Sequence, residues 1–302
     1  MNSIPQAPRL TKLAKALIQQ LSGLHTPIVT DYQLFLLLKN LYKHKTGLYI
    51  KNDTPSVFDY RRNRKLLLKH NVIAADKDYS SAYRIISKQD LSADDIACII
   101  DPFCYISHLS AMQRYGLTNR RPEALHLTSL SLPLFKTQAQ EKMHKDYGDD
   151  ILTLEPSFIL PLKRVTHPQM TRGRALSINY TKYPGLSLTV RGSQARISTI
   201  GQTFLDMLEN PEKCGGMLHV LDIWKEHART YLDDIVPTIT GAPKSIHKVR
   251  AGYILNEVLG IDSPEIQSWQ IFAQRGGSRV LDPEKPFAST YSEKWMISIN
   301  AG

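Results

Sequence analysis

The chain carries little of what secreted, membrane-bound or metal-dependent proteins are built from. Only three cysteines occur in 302 residues, Cys98, Cys104 and Cys214. An odd count with no C-x-x-C spacing argues against a disulfide framework or a thiolate zinc site. It suits reduced thiols in a cytoplasmic protein. No run of 18 apolar residues exists, so no membrane span is expected. The opening MNSIPQAPRLTKLAKALIQQL lacks the apolar segment and small-residue cleavage site of a secretory leader. No internal repeat and no low-complexity tract is found.

Catalytic signatures are missing as well. There is no G-x-x-x-x-G-K-[ST] phosphate loop, no H-E-x-x-H pair, no G-x-S-x-G elbow and no Glu-x-Lys triplet of the kind many metal-dependent nucleases carry. The histidines are scattered, and His219 and His227 stand too far apart on a straight helix to share one metal. Ser107 and His108 are adjacent, which on a helix points their side chains apart and argues against a nucleophile–base pair. The glycine-rich run Arg275–Arg279 reads as a turn rather than an anion-binding loop. The chain is therefore not expected to be an enzyme, and no cofactor or metal is expected.

Positive charge is present, and it is unevenly placed. The net charge is +10. Residues 1–90 hold 15 Lys/Arg against 6 Asp/Glu, whereas residues 91–302 hold 23 against 22. Such placement points to a polyanion acting on the first segment. A membrane surface explains it less well, because no basic amphipathic stretch is long enough to lie on lipid. Hydrophobic residues make up 42% of the chain, enough for a proper core.

The charge is densest within Thr54–Ile86. Thr54 suits an N-cap and Pro55 the first helical position, so a helix over about Pro55–His70 is expected. At 100° per residue, Val57, Tyr60, Leu67 and Leu68 share an inward side. Arg62, Lys65 and Lys69 lie opposite with Phe58 beside them, and Arg61 and Arg64 flank the buried side. Short strands are expected around Val72–Ala74 and Ala82–Ile86, with Asp76–Ser81 as a polar tip. A basic helix followed by a hairpin outlines a winged helix-turn-helix. Upstream, Leu13, Leu17 and Leu21 mark a first helix over Thr11–Leu21. Thr30 and Gln33 form a capping box for a second, and Gly47 marks a turn before the third.

Ser87–Asp90 reads as a linker. Beyond it Ser92 can cap a helix over Ala93–Ile99, and Ser107 one from His108 to Tyr115 stopped by Gly116. Strands are expected at Leu125–Thr128, Leu176–Tyr180, Leu186–Arg191, Trp269–Ala273 and Trp295–Ile299. Helices are expected from Ser198 or Thr199 to Asn210, over Met217–Leu232 and over Lys244–Leu259. The fold class is thus α+β: an N-terminal winged helix-turn-helix, residues 1–89, then a larger mixed α/β domain, residues 90–302. Read from the residues alone, Tyr105 is a partly buried aromatic, Ser107 a cap and Gly116 a C-cap with positive φ. Asp206 is a structural salt-bridge partner or, less favourably, a cation ligand.

The run YISHLSAMQRYGLT, Tyr105–Thr118, resembles the Y-x-S-x-x-S-A-x-x-x-x-G-L-T signature of the AbiEi family through Tyr105, Ser107, Ser110, Ala111, Gly116, Leu117 and Thr118. TFLDMLENPEKCGGM resembles a second family segment through Leu205-Asp206, Pro211 and Gly215-Gly216, and the ending LDPEKP with EKWMISIN resembles a third. The chain departs from the pattern at Tyr115, where the family has His, and at Gly201-Gln202. AbiEi proteins are antitoxins of type IV toxin–antitoxin systems. The resemblance implies a winged helix-turn-helix that represses its own operon at inverted repeats in promoter DNA. It also implies a C-terminal antitoxin domain that counteracts a nucleotidyltransferase-type toxin without a stable complex.

The residues expected to meet double-stranded DNA are Arg61, Arg62, Arg64, Lys65 and Lys69 on the helix, with Lys77 and Tyr79 at the hairpin tip. An inverted repeat calls for two copies, as a homodimer or as monomers cooperating on the site. The main alternative is a protein-interaction module that grips and inhibits a toxin directly. A ligand-responsive regulator ranks last, because no polar cluster points to a ligand.

Overall fold

A computed structural model describes residues 9–45, 50–274 and 279–301. The turn expected at Gly47 and most of Arg275–Arg279 lie outside them. The described chain mixes helices with several small sheets. It packs as two compact units. One holds the residues up to 103 with 130–174 and 193–195, the other 104–129, 175–192 and the residues from 196 on.

The first unit opens with helix α1, Lys12–Gly23, capped by the Thr11 hydroxyl. Strand β1, Ile28–Thr30, runs directly into helix α2, Asp31–His44, whose start carries the expected Thr30–Gln33 capping box. Helix α3 spans Val57–Lys69 and starts later than the Thr54 cap implies. Ser56 is the N-cap because Asp59, three residues on, answers it reciprocally. Thr54 has apolar Val57 at that offset and cannot form such a box. The hairpin follows as β2, Ile73–Ala75, and β3, Ala82–Ile85. β1 pairs antiparallel with β3, giving the strand order β1-β3-β2. Leu17, Leu34, Phe35, Leu38, Tyr60, Leu67, Ile73 and Ile85 close one core beneath these elements. Each such side chain contributes roughly 1.5–3 kcal/mol by leaving water.

Residues 87–90 do not behave as a linker. Lys88 Nζ donates to the carbonyls of Ser22 and Leu24, and Asp90 pairs with Arg172. Helix α4, Ala93–Ile100, packs Ile96, Ile99 and Ile100 against Ile28, Tyr79 and Ala82. The boundary placed at residue 89 therefore falls inside the first unit.

The chain next forms β4, Tyr105–Ile106, helix α5, His108–Arg114, and β5, Leu125–Leu130. Helix α6, Leu132–Tyr147, and strand β6, Met170–Thr171, belong largely to the first unit. The second unit resumes with β7, Arg174–Thr181, β8, Ser187–Thr189, and β9, Arg196–Ser198. Helices α7, Ile200–Glu209, α8, Met217–His227, α9, Leu232–Gly241, α10, Ser245–Gly252, and α11, Pro264–Ser268, follow. Its sheet runs β7-β5-β4-β9-β8, with β4 parallel to β9 and antiparallel to β5. Phe204, Trp224, Ile235, Val249, Trp269 and Trp295 are buried in one cluster among the helices.

Two expectations fail here for local reasons. Trp269–Ala273 is not a strand; Trp269–Phe272 is a 3-10 turn continuing α11. Ser263 caps that helix and Pro264 starts it, and Trp269 and Phe272 then sit three apart on one side. Lys244–Leu259 is not one regular helix, because Tyr253–Val258 widens into a π-helical turn. The backbone there runs close to Trp295: a Cβ at Gly252 would overlap the indole ring.

Candidate nucleic-acid interface

Helix α3 sorts its side chains by face. Tyr60, Asn63 and Leu67 are buried, with Val57 and Leu68 packed at the edge of the same core. Arg61, Arg62, Lys65 and Lys69 are exposed, and Phe58 is 73% exposed beside them. Four cations and one ring thus line the outer face, next to the β2–β3 hairpin. Lys77 at the hairpin tip is also exposed.

Arg64 has a different role. Its Nη1 donates to Asp31 Oδ1 at 3.0 Å and to Tyr83 Oη at 3.2 Å. Its guanidinium lies over the Tyr60 and Tyr83 rings. The same Asp31 oxygen accepts from the hydroxyls of Tyr60 and Tyr83. Burial alone disfavours the Arg64 charge, but the Asp31 carboxylate and the two tyrosines outweigh it and raise the pKa further above its ordinary value. Arg64 therefore fixes α3 against the start of α2, and only part of its charge faces outward.

Tyr79 departs from its expected place at the tip. It is 2% exposed, and its hydroxyl lies 3.0 Å from His167 Nδ1. The reason is the acidic loop beside it. Asp76 and Asp78 converge on Arg172 at 2.7 and 2.5 Å, and Asp90 reaches it at 2.9 Å. Asp76 Oδ1 also accepts from the backbone of Asp78 and Tyr79. The loop folds inward around these bonds and carries the ring with it. Burial opposes the charge of Asp78, yet its bonds to Arg172 hold the carboxyl below the usual range.

Most residues of the Tyr105–Thr118 motif face inward, and Gly116 is exposed. Tyr105, Ser107, Ser110, Leu117 and Thr118 are buried. Tyr105 Oη accepts from the backbone N–H of Gly185 at 3.0 Å, and Ser110 Oγ accepts from that of His126 at 2.9 Å. Gly116 has φ +70°. Its N–H donates to Gln113 O and that of Leu117 to Met112 O, which is a Schellman cap with Leu117 and Met112 as its apolar pair. Thr118 Oγ1 lies 3.0 Å from His219 Nε2 and accepts from Arg120 N. Gly215 and Gly216 both have positive φ and lead into α8.

Ser107 and His108 contradict the expectation that their side chains diverge. His108 has φ +51°, a left-handed backbone that folds the ring back toward its neighbour. Its Nδ1 lies 2.7 Å from Ser107 Oγ, which also accepts from Thr128 Oγ1 at 2.8 Å. Ser107 holds the N-cap position without capping, because its hydroxyl is taken. Burial pushes the His108 pKa down to about 3, with Lys213 and His126 adding to it. Asp206 on α7 is buried, and burial pushes its carboxyl up to about 7 against the bond from Gln202 Nε2 at 2.7 Å. Among the described residues it makes no salt bridge of the kind expected; its side-chain partner is the Gln202 amide. Ser107 and His108 are both buried.

No family model and no curated protein matches the chain. Among solved structures, the crystal structure of the RV2827C protein from Mycobacterium tuberculosis is similar over 96% of this chain and 92% of that one, at 12% identity and a TM-score of 0.46. That likeness is too distant to transfer a function.

Proposed function

We propose that this protein is a DNA-binding transcriptional repressor and the antitoxin of a type IV toxin–antitoxin system, acting on inverted repeats of its own promoter. The observation that carries the DNA-binding half is the outer face of α3, where Arg61, Arg62, Lys65 and Lys69 all stand exposed beside a hairpin. The order α1-β1-α2-α3-β2-β3, with the sheet order β1-β3-β2, supports a winged helix-turn-helix. In such a module α3 enters the major groove and the hairpin lies along the backbone. Arg61 and Arg62 can each take guanine through two hydrogen bonds, whereas Lys65, Lys69 and Lys77 add phosphate attraction. If these five side chains together neutralise about five phosphates, log affinity falls against log salt with a slope of about −4.5.

Charge reversal at Arg62→Glu with Lys65→Glu tests this half in a gel shift with the DNA upstream of the coding sequence. Loss of the shifted band is expected, with an unchanged melting temperature; an undiminished shift removes the assignment. The antitoxin half rests on the motif resemblance. It predicts that coexpression relieves growth arrest by a neighbouring nucleotidyltransferase-type toxin. No relief would remove it.

A second reading, direct grip on a partner protein, is favoured by one feature. β8 is an edge strand; Leu188 on it is 57% exposed, and Leu186 just before it is 77% exposed. Such edges recruit partner strands. A stable stoichiometric complex on co-purification would select this reading.

A further inference from the structure

The exposed side chains of α3 are Phe58, Arg61, Arg62, Lys65 and Lys69. Their spacing, i, i+3, i+4, i+7 and i+11, puts all five on one stripe of the helix. Phe58 alone among them has no polar atom, and it stands at the N-terminal end of the stripe. At 73% exposure the ring keeps most of its apolar surface in water, which is unfavourable in the free protein. Inward positions near it are already filled, by buried Tyr60 and by Val57 at the edge of the core.

The turn that presents the ring is fixed. Asp59 N donates to Ser56 Oγ at 3.1 Å, while Ser56 N and Oγ donate to Asp59 Oδ2 at 3.0 and 2.7 Å. These bonds engage the only carboxylate of α3 in the cap, so the stripe itself carries none. Helical side chains lean toward the N-terminus, and the Phe58 ring therefore covers the tip of the helix. Lys69, at the other end of the stripe, is roughly 16 Å away along the axis.

In a recognition helix the N-terminal residues meet base edges. The one apolar group on the floor of the major groove is the C5-methyl of a pyrimidine, thymine or 5-methylcytosine; the rest of each edge is hydrogen-bonding groups. We infer that Phe58 reads that C5-methyl group, so that the ring sets sequence preference while the cations behind it hold the helix on phosphates. Charge complementarity selects this occupant. A polyanion with an apolar spot at groove depth matches the whole stripe, whereas a second copy of the same face would set four cations against four. Because the capping box orders the first turn beforehand, seating the ring costs less entropy than it would on a free loop.

This inference rests on the DNA-binding reading above, and the test separates the two. The DNA upstream of the coding sequence is amplified with dTTP or with dUTP, so that the second duplex lacks the thymine methyls outside the primers. Affinity is measured against salt for the wild type, F58A and F58L. The wild type is expected to bind the uracil duplex about fourfold more weakly for each methyl contacted. F58A is expected to bind the thymine duplex about tenfold more weakly than the wild type and to treat both duplexes alike, while F58L keeps part of the preference. All three should share one salt slope, because the ring neutralises no phosphate. Melting curves verify that the variants fold alike. A third duplex, made with dTTP and 5-methyl-dCTP, tells the two methyl sources apart: a gain that depends on Phe58, with no loss on uracil, assigns a methylated cytosine. If the wild type binds all three duplexes alike, or F58A responds to methyl removal as the wild type does, Phe58 is no methyl reader and the reading of α3 stands. A flatter salt slope in F58A would trace its loss to displaced phosphate contacts and also overturn the inference. If the wild type binds no duplex at any salt, the DNA-binding reading fails and this one with it.

Discussion

The two units use their polar residues in opposite ways. The first unit holds 22 Lys/Arg against 14 Asp/Glu, the second 16 against 14. On α3 Arg61, Arg62, Lys65 and Lys69 point to solvent, while Tyr60 and Leu67 point inward. In the second unit most of the motif residues are turned inward: Tyr105 and Ser110 accept from backbone N–H groups, Ser107 meets His108 and Thr128, and Asp206 accepts from Gln202. A recurrent sequence pattern can therefore mark a contact surface or an interior scaffold, and burial tells which.

Substitutions can break this contrast, and the largest effect is expected at Arg172. Arg172→Gln leaves Asp76 and Asp78 facing each other without a counter-ion in a nearly sealed place. Removing one partner of such a group costs about 3–5 kcal/mol. Thermal unfolding should show the hairpin loop loosening first in hydrogen exchange; an unchanged melting curve would mean the cluster is open to water.

Asp206→Asn comes next and isolates the interior of the second unit. The folded carboxyl titrates near 7 because of burial, above its unfolded value of about 3.9. The folded state then holds the proton more tightly, so stability is greatest below the unfolded value and declines as pH rises through about 7. His108, pushed down to about 3, works in the opposite direction between there and its unfolded value of about 6.5. Wild type minus variant cancels that second contribution. The difference in unfolding free energy should decline between pH 4 and pH 7 by a few kcal/mol; a flat difference would place a counter-ion at the carboxyl.

Smaller effects sharpen the same contrast. Ser107→Ala removes the partner of His108 Nδ1 and Thr128 Oγ1 and should cost about 1–3 kcal/mol. DNA affinity should not change; a loss of affinity would bring the motif into the interface. Ser56→Ala removes the cap of α3, at about 1 kcal/mol, and should weaken DNA binding only as far as the first turn frays.

Much of the first unit was legible in the sequence. The Thr30–Gln33 box, the leucine spacing of α1 and the two faces of α3 all follow from short-range rules. β1 was not, because three residues after Pro27 carry no alternation and become a strand only by pairing with β3. α6 also escaped: its one buried apolar row is thin, with Ala139 and Tyr147 inside. The inward turn of Tyr79 depends on Arg172, nearly a hundred residues on, which no local pattern reveals. The same holds for Ser107 and His108, where a left-handed φ undoes the helical geometry assumed for neighbours. The exposed cations were readable one by one.

The most direct measurement is the affinity of the wild-type protein for duplex DNA as salt is raised. A straight fall of log affinity with log salt, with slope about −4.5 or steeper, is expected if the face of α3 meets phosphates. A slope near zero, or no binding at low salt, would contradict a first unit built to sit on DNA.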